Sequence, residues 1–153
     1  MGLSLVFLIG KERKIIRAIK KLDYSILDNP ISVHKEADFS FHLQPKDLNE
    51  LSKAIGNNTN QTPLELRPFL KVLIDEIDHG LLSVDPVWVK YASKVEPSNI
   101  LPIVTMWETN LSTIYTNETI IFDDAIQKSV LDLVELCKYS LDKRLRVLHL
   151  WTL

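Results

Sequence analysis

The stretch LSLVFLI at residues 3–9 decides the fold, because every residue in it except Ser4 is apolar and Gly10 stops it. A continuous apolar run of that length, closed by glycine, has the pattern of a strand buried on both faces and so belongs in the middle of a sheet. The other end of the chain carries a counterpart, LRVLHLWTL at residues 145–153, which reads as a second strand. Two apolar strands at the two extremes of a chain invite aggregation if left as bare edges. The economical arrangement places both inside one sheet, under a cover of helices.

Between these ends the pattern is mostly helical. Ile15, Ile16, Ile19 and Leu22 recur at helical spacing after Gly10, while Lys11, Arg13, Lys14, Arg17, Lys20 and Lys21 fill the other face. Residues 31–35, followed by Phe39, Phe41 and Leu43 alternating with polar neighbours, predict a pair of central strands. Pro45 favours a helix start, with Leu48, Leu51 and Ile55 as its stripe and Gly56 as a natural end. Residues 57–61 are the most polar and turn-prone segment and predict an exposed, mobile loop. Thr62-Pro63 opens a region read as helical, broken at Pro68, with Leu70, Leu73, Ile74 and Ile77 on its apolar face and Gly80 at its end. Asp85-Pro86 reads as N-cap and first helical residue, and Pro97-Ser98-Asn99 separates that helix from one running through Met106 and Trp107. The longest helix starts at Asp123.

The order β, α, β, β, several helices, β predicts one α+β domain over residues 1–153. Its small sheet should hold the N-terminal and C-terminal strands plus the central strand pair, covered by about five or six helices. A chain of 153 residues with 46% apolar and 25% charged residues has the usage of an ordinary globular domain. The strand at residues 3–9 followed by its positive charges lacks the order of a secretory signal, and no apolar run is long enough to span a bilayer, so a cytoplasmic protein is expected. Val6 stands where a myristoylation signal wants Ser or Thr.

The opening Met1-Gly2-Leu3-Ser4, running directly into a strand, and residues 133–151, a long helix feeding a terminal Leu/Val/Trp strand, resemble the YfbM-like family of small bacterial proteins of unknown function. The resemblance covers the two ends of the chain. It implies a fold rather than a reaction.

The chemistry is bounded mainly by exclusion. With glycine only at positions 2, 10, 56 and 80, neither a dinucleotide-binding glycine turn nor a phosphate loop can be written. Cys137 is the single cysteine, which excludes an intrachain disulfide and a cysteine-ligated zinc cluster, and its place on an apolar stripe suits a buried, inert thiol. No cofactor and no metal site is indicated. His34, His42 and His149 fall on predicted strands; His149 shares a face with Val147 and Trp151 and reads as a core or boundary histidine. Trp88, Tyr91 and Trp107 sit at helical spacing, which favours core over a stacking platform.

Asp75, Glu76, Asp78 and His79 come nearest to a site. On a helix Asp75 and His79 would share a face at i, i+4 and there a metal or a proton, but two ligands do not make a metal site, and the cluster reads first as a solvated acidic helix end closed by a histidine. Three functions follow in order of preference. The first is a non-catalytic protein-binding domain using Asp75, Glu76, Asp78, His79 and Asp85, such as an immunity protein that neutralises a bacterial toxin by covering its basic cleft. The second is a small hydrolase or transferase with a dispersed site drawn from His42, His79 and Asp85. The third is a nucleic-acid binder using the basic face of residues 11–21, which Glu12 interrupts in a chain of net charge −2. No membrane partner and no small-molecule cofactor are expected.

Overall fold

Strand β1 (Ser4–Gly10) lies beside β5 (Leu148–Thr152), antiparallel, with Leu5 opposite Trp151 and Phe7 opposite His149. The two ends of the chain therefore meet in the interior of one sheet, as the apolar runs require. The computed structural model describes residues 3–153. Met1 and Gly2, on which the myristoylation reading and part of the family resemblance rest, lie outside the described residues. Strands β2 (Val33–Asp38), β3 (Leu70–Asp75) and β4 (His79–Val84) complete an antiparallel sheet of order β2-β1-β5-β4-β3.

The alternation of β1 and β5 divides the core between two faces. Leu5, Phe7 and Ile9 point to a large layer built from α2 (Pro45–Asn58), α3 (Pro86–Ala92), α4 (Ile100–Ile114) and α5 (Asp124–Lys143). Leu8, Leu148 and Leu150 point the other way, onto α1 (Glu12–Lys20) through Ile15 and Ile19 and onto the short 3-10 helix Tyr24–Asp28. The fold is α+β, with helices on both faces of the sheet. Among the described residues no helix is long and apolar enough to cross a membrane.

Helix α2 ties the larger layer together through polar groups. The Trp88 indole N–H donates to Ser52 Oγ at 2.9 Å, the Tyr91 hydroxyl donates to the Ser52 carbonyl, and the Trp107 indole N–H donates to the Asp47 carbonyl at 2.9 Å. Asp47 accepts from the Gln44 N–H at 2.7 Å and from the Tyr115 hydroxyl at 2.7 Å. Trp88, Tyr91 and Trp107 are thus core anchors with their polar ends satisfied, which removes them as a stacking platform.

The structure corrects three readings. The central strand pair is not residues 31–43: a single strand, β2, ends at Asp38, whose Oδ1 accepts the Ser40 N–H at 2.9 Å and turns the chain away. The expected helix over residues 70–80 is instead the β3–β4 hairpin, and Gly80 is a strand residue. A Cβ there would lie 2.2 Å from the Trp151 indole nitrogen, so glycine lets the indole rest against β4. The loop at residues 57–61 begins inside α2, and Gln61 is pinned by donating its Nε2 to the Tyr91 carbonyl at 3.0 Å and to Thr59 Oγ1 at 2.8 Å.

The helix starts hold as read. Asp85 and Asp123 cap α3 and α5 through their side chains, and Pro86 is the first residue of α3. Helix α5 ends with Arg144 in the left-handed region, φ 53°, and Leu145 N–H returning to the Ser140 carbonyl at 3.0 Å. That position favours glycine, since a Cβ crowds the following carbonyl. Arg144 is exposed and makes no ion pair among the described residues, so Arg144→Gly should stabilise the protein by about 0.5–1 kcal/mol, read as a higher urea midpoint at unchanged slope.

Candidate functional site

The hairpin gathers four of the five predicted contact residues at one point. Asp75 pairs with Gly80 as the last rung, the Glu76 N–H donates to the His79 carbonyl at 2.9 Å, and Ile77 and Asp78 form the tip. The tip is braced from both sides. The Leu153 N–H donates to the Asp78 carbonyl at 2.8 Å, and His79, buried beneath, places Nδ1 2.7 Å from Asp78 Oδ1. That hydrogen bond from His79 is the main reason the Asp78 carboxyl titrates below its usual range. Burial and then the charge of Asp78 push the Tyr24 hydroxyl up.

Ile77 stands at the apex and is 95% exposed, the most exposed large apolar side chain among the described residues. Sequence reading placed it on the buried face of a helix. Asp75, Glu76 and Asp78 neighbour it along the turn, all exposed. The tip therefore carries an exposed apolar side chain and three exposed carboxylates on a backbone fixed by hydrogen bonds. Asp85 is not part of it. It lies past the opposite end of β4, roughly 20 Å along an extended strand, where its side chain accepts the Val87 N–H at 2.8 Å.

The histidines do not converge. His34 is exposed on edge strand β2, His42 is an exposed loop residue at φ 61°, His79 braces the tip, and His149 is buried on β5. No principal cavity is lined by two of them. Cys137 is fully buried, and burial pushes its thiol well above the ordinary range, which suits an inert core residue. Among the described residues no group of three or more His, Cys, Asp or Glu is placed to hold a metal ion. The cations of α1 are all exposed, while Glu12 faces Arg146 at 3.3 Å.

A second feature escaped the sequence reading. A cavity of about 420 Å³ opens beside the hairpin, between the sheet and the start of α2. Leu82, His149 and Trp151 form its floor on adjacent strands, and Leu48, Leu66 and Arg67 stand around it. Asn49 fixes one wall by accepting the N–H groups of both Leu66 and Arg67 at 3.0 Å. The only hint in the sequence is the shared face of His149 and Trp151, because the remaining walls come from distant segments.

Comparison with protein-family models, with curated proteins and with solved structures finds no match for this chain.

Proposed function

We propose that the chain is a non-catalytic protein-binding domain whose recognition element is the β3–β4 tip, and that its partner offers an apolar pocket within a basic cleft. The observation that carries this reading is Ile77, 95% exposed in a turn that also bears three exposed carboxylates. Burying that side chain in a partner is worth up to about 2 kcal/mol, and the carboxylates would steer a basic surface onto it. The hydrogen bonds that hold the tip lower the ordering cost of association. Covering a cationic active surface in this way is the chemistry of an immunity protein that neutralises a bacterial toxin. A dispersed hydrolytic site gains no support, since His79 and Asp85 sit at opposite ends of one strand.

Ile77→Asp and Asp75→Lys test the assignment without touching the core, because both side chains are exposed. The immobilised chain should retain one stoichiometric partner from extracts of its native host. Each substitution should weaken that complex by at least about thirtyfold while leaving the melting temperature unchanged. Retention of nothing by the wild-type chain, or equal retention by the variants, overturns the reading.

A further inference from the structure

We propose that the cavity over β4 and β5 is a binding site for a small planar aromatic carboxylate that carries an N–H or O–H donor. The inference is independent of the partner-binding tip and starts from His149. This side chain is only 2% exposed and is stacked on Phe7 with ring centroids 4.4 Å apart. Its Nδ1 lies 3.3 Å from the Val6 carbonyl, and since a carbonyl can only accept, Nδ1 carries the proton. Nε2 is then a bare acceptor.

No group among the described residues hydrogen-bonds Nε2. Yet among the described residues no side-chain nitrogen or oxygen sealed from solvent lacks a partner. Nε2 is therefore not sealed, and His149 is one of the residues that line this cavity. An unpaired acceptor on a largely apolar cavity wall is what a ligand N–H or O–H would complete.

The remaining chemistry follows from the walls. Leu48, Leu66 and Leu82 with the Trp151 indole make slabs for a flat apolar body, and Gly80 is the residue that lets the indole lie against β4. Arg67, without a carboxylate partner among the described residues, supplies a cation at one wall. Among the described residues no acidic side chain lines the cavity. Lys46 also borders it, but its Nζ is held 5.1 Å from the Tyr115 ring centroid. The volume, about 420 Å³, lies in the range that takes a small molecule.

Three probes separate the contributions: indoleacetate, N-methylindoleacetate, which lacks the donor, and tryptophol, which lacks the anion. Titration is followed by two-dimensional amide NMR of the labelled protein, with the Trp151 indole N–H as reporter. Indoleacetate should give saturable shifts at Trp151, Leu82 and Arg67. N-methylindoleacetate and tryptophol should each bind about tenfold more weakly. His149→Phe should abolish the preference for indoleacetate over its N-methyl analogue, and Arg67→Gln, a change at an exposed side chain, should abolish the preference over tryptophol. Equal affinity for the three probes, shifts confined to other surfaces, or no saturation by indoleacetate at millimolar concentration would each overturn the proposal.

Discussion

Replacing Gly10 by alanine is expected to lower the unfolding free energy by about 3 kcal/mol, read as a fall in urea midpoint at unchanged slope. A Cβ at this position would lie 1.9 Å from the Ser32 carbonyl oxygen and 2.9 Å from its carbon. Both are backbone atoms, so no side-chain rotation relieves the clash. The same oxygen accepts the Lys11 N–H at 2.8 Å, and the register of β1 against β2 shifts between Ile9 and Gly10. Pushing Ser32 away would break that bond and loosen the corner where β1 turns into α1. Ser32→Ala is the control, because it leaves the colliding carbonyl in place and should not rescue Gly10→Ala. A loss below about 0.5 kcal/mol, ordinary for a surface change, would show that the corner is free to move.

The glycine that ends β1 was legible as a stop signal but not as a contact, and this marks the limit of sequence reading here. The terminal strands were legible because a chain with apolar runs at both ends has few ways to bury them. The starts of α2, α3 and α5 were legible because Pro45, Pro86, Asp85 and Asp123 act locally on the first helical turn. The β3–β4 hairpin was not. Leu70, Leu73, Ile74 and Ile77 fit a helical stripe, and the turn carries neither Asn-Gly nor Asp-Gly, with no positive φ between Glu76 and Asp78. The acidic cluster was therefore found on the wrong element. The error concealed Ile77, which a helix would have buried and the hairpin exposes. The cavity was out of reach for a different reason: its walls come from α2, three strands and the segment at Leu66 and Arg67, so no spacing along the chain encodes it.

The hairpin also places the two proposed sites side by side. Gly80 pairs with Asp75 at the tip on one side and with Trp151 of the cavity floor on the other. A ligand that moved the Trp151 indole would press on Gly80, where a Cβ would already be too close, and through it on the rung that carries Asp75. Occupation of the cavity should therefore register at the amides of the tip.

The second large effect is an acid instability centred on His149. Burial holds its titration down to about 4 from 6.5, against the smaller opposing pull of the Val6 carbonyl. Between these values the unfolded chain binds a proton at this histidine and the folded chain does not, so stability falls as pH drops through the window. The loss is about 3 kcal/mol. Among the described residues that flank the ring or line the cavity none is acidic: Phe7 on β1 and Leu82 on β4 flank the ring, and the charged groups lining the cavity are the cations Lys46 and Arg67. The decisive measurement is urea unfolding of the wild-type protein and of His149→Phe at several pH values from neutral down to about 4. Phenylalanine keeps the stack on Phe7 and removes the titrating group. The wild-type protein should lose stability more steeply than the variant across the window, whatever carboxylates elsewhere contribute to both. Parallel curves would mean that the imidazolium finds water in the cavity, and that His149 is less enclosed than its position on β5 implies.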